Sequence, residues 1–390
     1  MARTSRLAVV LGLALLIGAL PQPGLPAATG APLEVYASLS MTGNAAFLGA
    51  GEQDALHKVE ALTNASGGIN GRPLKFIVED NQSSPQVDVQ LMSAALATHP
   101  VVVIDGGPLA GCRANVPLLT NGPVVYCLSN SLPTVPGSWV FSTAYATRDA
   151  LAVAMSRFRQ MKIERIAVLS PTDATGQETD QLLRDAAQAP ENVNDVSFVA
   201  FEHFNPTDIS VSAQLAHIKE TNPQLLISYT TGTALGTVFR GMQTLGLDDL
   251  PVFPSSGSMS WGQLTAEKDI ILKDVVFAGP PLSSAGVKDP DVKKAVETFL
   301  RAFPPSSTAH ADFISALAWD PAMIVVYMLR KIGPNGTAAQ LHDGLMSLRG
   351  YPGVFGRYDF PASPQRGLTG QGVLLQRWDK DLQTWVPLAK

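Results

Sequence analysis

Charge is scarce in this sequence. Of 390 residues only 16% are charged, and 28 lysines and arginines face 33 acidic residues, for a formal net charge of −5. No basic cluster stands out from that thin distribution, so the electrostatic footprint that nucleic acids require is missing. Cysteine is nearly absent: Cys112 and Cys127 are the only two, too few for a cysteine zinc site or a disulfide scaffold. His57, His99, His203, His217, His310 and His342 never pair at i,i+3 or i,i+4, and no HExxH occurs. No metal site is expected. Walker and GxGxxG loops are lacking, and Gly257-Ser258-Met259-Ser260-Trp261-Gly262 puts both serines out of register for a nucleophile elbow. Neither catalysis nor a cofactor is signalled. What the chain does have is apolar residues, 46% of the total, enough to exclude disorder and to fill more than one core.

The first residues address the compartment. Arg3 and Arg6 precede the uncharged run Leu7–Leu20, and Pro21, Pro23 and Pro26 follow it, with small residues at Ala27, Ala28, Gly30 and Ala31. The run is short of the about 20 apolar residues that span a bilayer and suits the core of a secretory leader. Residues 1–30 are read as a cleaved signal peptide, and a soluble periplasmic protein without stable membrane insertion is expected. In that oxidising compartment a Cys112–Cys127 bridge is permitted, because a helix start and the following strand end share one edge of a parallel sheet. Two buried thiols are the alternative.

Beyond the leader, strands and helices alternate. Leu33–Ser38, Leu74–Glu79, Val101–Ile104 and Val124–Cys127 read as strands, with helices over about 49–64, 84–98 and 112–120 between them. VVVI and VVYC are apolar throughout, as strands buried on both faces are. The pattern restarts after Arg148: strands at Arg165–Leu169, Val196–Phe201, Leu225–Tyr229, Val252-Phe253 and Val275–Ala278 are spaced by helices, including one over 209–221. Helices at about 291–302, 309–332 and 338–348 follow, then a hairpin at 372–378 and 384–388. Two such runs predict an α/β protein of two Rossmann-like lobes with mainly parallel sheets.

Polar, glycine-rich loops follow the strands of both halves: Ser40–Gly49, Asp105–Gly111, Leu128–Ser131, Ser170–Gly176, Tyr229–Thr233 and Pro254–Ser258. Ligands of open α/β sheets gather beyond the strand carboxyl ends. The loops therefore predict a binding site between the halves.

The stretch from Ser38 to Pro85, S-L-S-M-T-G…G-G-I-N-G-R-P-L-K-F-I-V-E-D-N-Q-S-S-P, resembles the type I periplasmic binding proteins of the leucine/isoleucine/valine-binding family. The element order agrees over the whole mature chain. The resemblance implies two lobes joined by a three-stranded hinge, with crossings near 141–146, 279–283 and 353–359. One lobe would comprise residues 31–143 plus 282–353, the other 144–281 plus 354–390. It also implies a monomer that hands a small-molecule solute to the permease subunits of an ABC-type importer. The family's carboxylate-binding serine loop falls at Pro108, Leu109 and Ala110, where the serine is missing and only backbone N–H groups remain. Its second anchoring loop falls at Ser129 and Ser131, and its first-loop tyrosine at Leu48, beside Phe47. In the other lobe the contacts fall at Thr175 and at Tyr229, Thr230 and Thr231. The acid that pairs with an amino acid's ammonium falls at Ser256, which is no acid, and Asp173 in a neighbouring loop is the possible substitute. An unpaired buried ammonium is costly. The expected solute is thus not a standard branched-chain amino acid but an aromatic acid, an amide or another small carboxylate or neutral compound. Trp261 is weighed both as a pocket wall and as packing. A periplasmic sensor for a signalling partner and an exported enzyme are the competing readings.

Overall fold

The computed structural model describes residues 28–284, 287–304 and 309–388; the expected signal peptide lies, as far as residue 27, outside the described residues. The first sheet contains β1 (Leu33–Leu39), β2 (Leu74–Asp80), β3 (Val102–Asp105), β4 (Val124–Cys127) and β5 (Val140–Ser142), in the order β2-β1-β3-β4-β5. Every pairing is parallel. Both β3 and β4 are buried along their whole length, which explains why neither shows an alternating pattern. The helices α1 (Ala46–Ala65), α2 (Pro85–Leu96) and α3 (Leu109–Asn115) carry the chain between these strands. Ser84 caps α2, accepting from the Val87 N–H, with Pro85 at the first helical position. The helix expected over 112–120 begins instead at Leu109 and gives way to a 3-10 turn at Val116–Leu118, because Pro117 has no N–H to continue it.

The second half repeats the plan. After α4 (Thr147–Gln160) come β6 (Arg165–Pro171), α5 (Ala174–Gln188), β7 (Ser197–Phe204), α6 (Ser212–Glu220), β8 (Leu225–Ser228), α7 (Thr233–Thr244), β9 (Val252–Pro254) and α8 (Trp261–Ala266). The order β7-β6-β8-β9 is again parallel. Expected from Ile209, α6 starts three residues later and leaves Ile209 95% exposed, while Val211, Leu215 and Ile218 are buried as their spacing predicts. Next, β10 (Val276–Gly279) leads into α9 (Pro290–Ala302), α10 (Phe313–Ile332), α11 (Ala338–Ser347) and the short pair β11 (Arg349–Pro352) and β12 (Arg357–Asp359). The C-terminal hairpin, β13 (Leu374–Asp379) and β14 (Thr384–Pro387), pairs antiparallel with β10.

Although α10 is long and apolar enough to cross a membrane, 83% of its most apolar window is buried. It is a core helix, packed along α1 where Gly51 lets Ile314 approach. Its start is set by Asp312, which accepts from the Ser315 N–H in a capping box. The chain leaves the first sheet for the second after β5. The fully buried Arg366 fastens that crossing, donating to the carbonyls of Leu132, Thr143 and Ala144. Burial pushes its guanidinium down to about 10.

A cleft between the strand ends of two sheets

In both sheets the first strand lies second in order, so successive connections leave it toward opposite sides. That divergence opens a crevice at the strand carboxyl ends, between β1 and β3 in one lobe and between β6 and β8 in the other. The two crevices face one cavity of about 240 Å³. Every parallel strand from β1 to β4 and from β6 to β9 sends the loop beyond its end into the wall: Leu48, Ser83, Ala110 and Ser131 on one side, Thr175, Thr207, Thr230 and Ser255 on the other. At about 30 Å³ per water the cavity equals roughly eight water molecules, the size of a small organic solute. Larger cavities lie elsewhere: those of about 590 and 1060 Å³ beside the β10-β13-β14 sheet, one of about 290 Å³ between Asp291 and Tyr351, and one of about 500 Å³ between His99 and Thr337 take in none of the loops that wall the cleft.

The loops are held by short polar contacts. Asp80 accepts from the backbone N–H groups of Met41, Thr42 and Gln82 and from the Thr42 hydroxyl, tying the loop after β1 to the loop after β2. Gly49 permits that loop's close turn, since a Cβ there would stand 2.2 Å from the Ser40 carbonyl oxygen. Cys112 and Cys127 are bridged, with Cα atoms 5.9 Å apart, and the bridge ties α3 to the end of β4 just before the Leu128–Ser131 loop. Beneath these loops Ser38 donates to Asp88, and Asn115 donates to Asp105. Burial raises both of these carboxyls, and the charge of Asp88 raises Asp105 further.

Several contacts join the two halves, and three of them involve the loops and helix starts around the cavity. Ser131 and Thr147 share a hydroxyl–hydroxyl hydrogen bond of 2.8 Å. Arg113 of α3 pairs with Glu178 of α5 at 2.5 Å, both partly exposed. Phe47 lies against Gly232, where an added Cβ would meet its ring at 2.8 Å. With φ 68° and ψ −151°, Gly232 occupies backbone space essentially reserved for glycine. We expect Gly232→Ala to wedge the lobes apart and to weaken solute binding by about tenfold or more, as 1.4 kcal/mol of lost contact or added strain requires. Calorimetric titration of a solute identified for the wild-type protein checks this, and unchanged affinity would refute it.

Ten residues singled out from the sequence share the cavity wall: Leu48, Pro108, Leu109, Ala110, Ser129, Ser131, Asp173, Thr175, Thr230 and Thr231. Phe47 is instead at the lip. Tyr229 and Ser256 lie behind the wall: Tyr229 is 1% exposed, and the Ser256 hydroxyl donates to the Ala278 carbonyl. Asp173 is exposed, and its Oδ1 caps α5 by accepting from the Thr175 and Gly176 N–H groups. Trp261 stacks on His310 with ring centroids 3.5 Å apart, outside the cavity lining. Sequence reasoning passed over Ser83, Asn205, Thr207 and Glu52, and included Asn44 and Ser255 only as members of their loops. For Glu52 a signal existed: it falls within the buried stripe of α1 with Leu48, Ala55, Leu56 and Val59. Lysine, arginine and histidine are absent from the cavity wall among the described residues.

Comparison with known proteins adds to this geometry. A family model described as periplasmic binding protein matches residues 37–383. An extracellular ligand-binding receptor from Rhodopseudomonas palustris HaA2 superposes with a TM-score of 0.78 at 19% identity, over 92% of this chain and 100% of that one. The branched-chain amino acid transporter substrate binding protein LivJ from Streptococcus pneumoniae, in complex with isoleucine, gives 0.76 at 15% identity, over 92% and 99%. A fatty acid ABC transporter substrate-binding protein from Thermomonospora curvata gives 0.77 at 17%, over 93% of each chain. At such identities the likeness is one of fold. No curated protein matches the chain.

Proposed function

Because this chain belongs to the periplasmic binding protein family, we propose that it is a periplasmic receptor that captures a small organic solute between its lobes and delivers it to an ABC-type importer. The observation that carries this reading is the cavity walled from both lobes by hydroxyls and amides at the strand ends. A solute touching both walls favours the closed arrangement by the contacts it makes only there. Micromolar affinity corresponds to about −8 kcal/mol, within reach of a few buried hydrogen bonds and the apolar contact offered by Leu48, Leu109 and Leu317. The closing bodies are residues 31–143 with 282–353, and 144–281 with 354–390, and the protein acts as a monomer after removal of residues 1–30.

The solute is not a standard branched-chain amino acid. No acid occupies the wall near Ser255 and Ser256, and the carboxylate of Asp173 is engaged by its own helix. A small neutral compound or a carboxylate, such as an amide or an aromatic acid, fits the wall. A thermal-shift screen across amino acids, aromatic acids, amides and short diacids tests this, since a ligand at 100 times its dissociation constant stabilises by about 2.7 kcal/mol. Strong stabilisation by leucine or valine would overturn the solute class. For the solute so found, Ser131→Ala combined with Thr230→Ala should raise Kd by about 10- to 100-fold, since two neutral hydrogen bonds contribute about 0.5–1.5 kcal/mol each. The melting temperature should fall modestly, because Ser131→Ala also removes the buried hydroxyl bond to Thr147. An unaltered Kd would mean that the solute binds elsewhere.

A further inference from the structure

Among the described residues of the cavity wall, three buried side-chain atoms have nothing to bond, Asn130 Nδ2, Thr230 Oγ1 and Glu52 Oε2, and only the last belongs to an acid. Glu52 of α1 is 1% exposed, and its Oε1 accepts from the Gly107 N–H at 3.3 Å. Its Oε2 is buried without a partner, although the residue forms part of the cavity wall. The carboxyl is held in place from the first lobe: a Cβ on Gly106 would stand 2.4 Å from Oε2 and 2.5 Å from the Leu39 methyl. Only glycine at 106 leaves this space. The charged groups near Glu52 are themselves acids. Asp105 at the end of β3 lies close enough for their charges to interact, Asp88 of α2 stands beside Asp105, and Asp173 forms part of the opposite wall. No basic residue among the described ones lines the cavity. Burial pushes the Glu52 carboxyl up to about 8, opposed only by the Gly107 N–H. Near neutral pH the group keeps its proton, and Oε2 becomes an O–H donor with no acceptor in the chain.

We propose that Glu52 is the specificity-determining residue of the cleft, donating a hydrogen bond to an uncharged acceptor on the solute (the carbonyl of an amide, ketone or ester) and disfavouring carboxylates. This rests on the receptor reading above and narrows its solute class. An anion would meet two acids and no cation, while an ammonium would require Glu52 to ionise where like charges and burial oppose it.

Matched probes test the proposal: isovaleramide, isovalerate and isoamylamine, and benzamide, benzoate and benzylamine, titrated into the full mature protein at pH 6.5 and pH 9.5. An amide should bind tightest in its set at pH 6.5. Its Kd should rise by roughly thirtyfold at pH 9.5, where only a few per cent of Glu52 still holds a proton. Glu52→Gln keeps an acceptor for Gly107 and puts an N–H donor in place of Oε2, so it should bind the same amide with a Kd that no longer depends on pH. A carboxylate binding more tightly than its amide overturns the assignment. So does an amine whose affinity grows with pH, a flat pH profile in the wild-type protein, or a failure of all six probes to bind. Small-angle scattering separates this from the receptor reading. Contraction on a carboxylate or an amine leaves the receptor and removes the role of Glu52. Conversely, pH-dependent amide binding without contraction keeps Glu52 and removes the closing receptor.

Discussion

In the Glu52→Gln variant, the loss of stability between pH 5 and pH 8.5 should be smaller than in the wild-type protein by on the order of 4 kcal/mol. Glu52 is raised from 4.5 to about 8 by burial, with the Gly107 N–H as the only opposing influence. Over that window the folded chain holds a proton that the unfolded chain has released. The stabilising contribution is therefore complete below about pH 4.5, declines as pH rises, and is gone above about pH 8. Each unit of separation is worth about 1.4 kcal/mol. Glutamine has no proton to lose and still offers an acceptor to Gly107. Asp312 and Asp320, both raised to about 6 by burial, act with the same sign and remain in the variant, so a shallower slope persists. Calorimetric melting of both proteins across this range is the measurement. Parallel curves would show that Glu52 titrates like an exposed acid.

Removing the Cys112–Cys127 bridge, by Cys112→Ser with Cys127→Ser, should lower stability by about 3 kcal/mol. The bridge closes a separation of 15 residues, and the chain-entropy model assigns that amount to such a loop. The effect should reach the cleft as well. Leu109 and Ala110 precede Cys112 on α3, while Ser129 and Ser131 follow Cys127, and all four belong to the cavity wall. Once the bridge is gone, α3 and the 128–131 loop are held by weaker contacts, such as the Ser142 hydroxyl bond to the Ser129 carbonyl. Solute affinity should fall along with the melting temperature, and dithiothreitol should reproduce both changes in the wild-type protein. A reduced protein that melts and binds like the oxidised one would contradict the assignment.

Much of the fold is legible residue by residue. The runs VVVI and VVYC point to strands buried on both faces because a two-sided sheet leaves no polar alternation. Ser84 with Pro85 marks the start of α2 through a side chain that reaches only three residues ahead. The short strands β5, β11 and β12 are not legible, since three or four residues carry too little period and their pairing depends on neighbours far along the chain. Glu52 could be noticed as an acid within an apolar helical stripe. That its carboxyl would rest against Gly106 and Gly107, more than fifty residues away, could not.

Element order and the polar loops after the strands are local, periodic properties, and the sequence by itself determined them. Which side chains form the cavity wall was decided by tertiary structure. Thr230 and Ser255 line the cavity while their immediate neighbours Tyr229 and Ser256 are turned into the protein, and since these positions lie beyond the strands, with Ser256 opening a 3-10 turn, no strand alternation announces the choice. A shift of one residue, invisible in composition or spacing, exchanges a ligand contact for a core contact. Only the packed sheets and the meeting of the two lobes fix that choice, because the wall is assembled from loops that lie far apart in the chain.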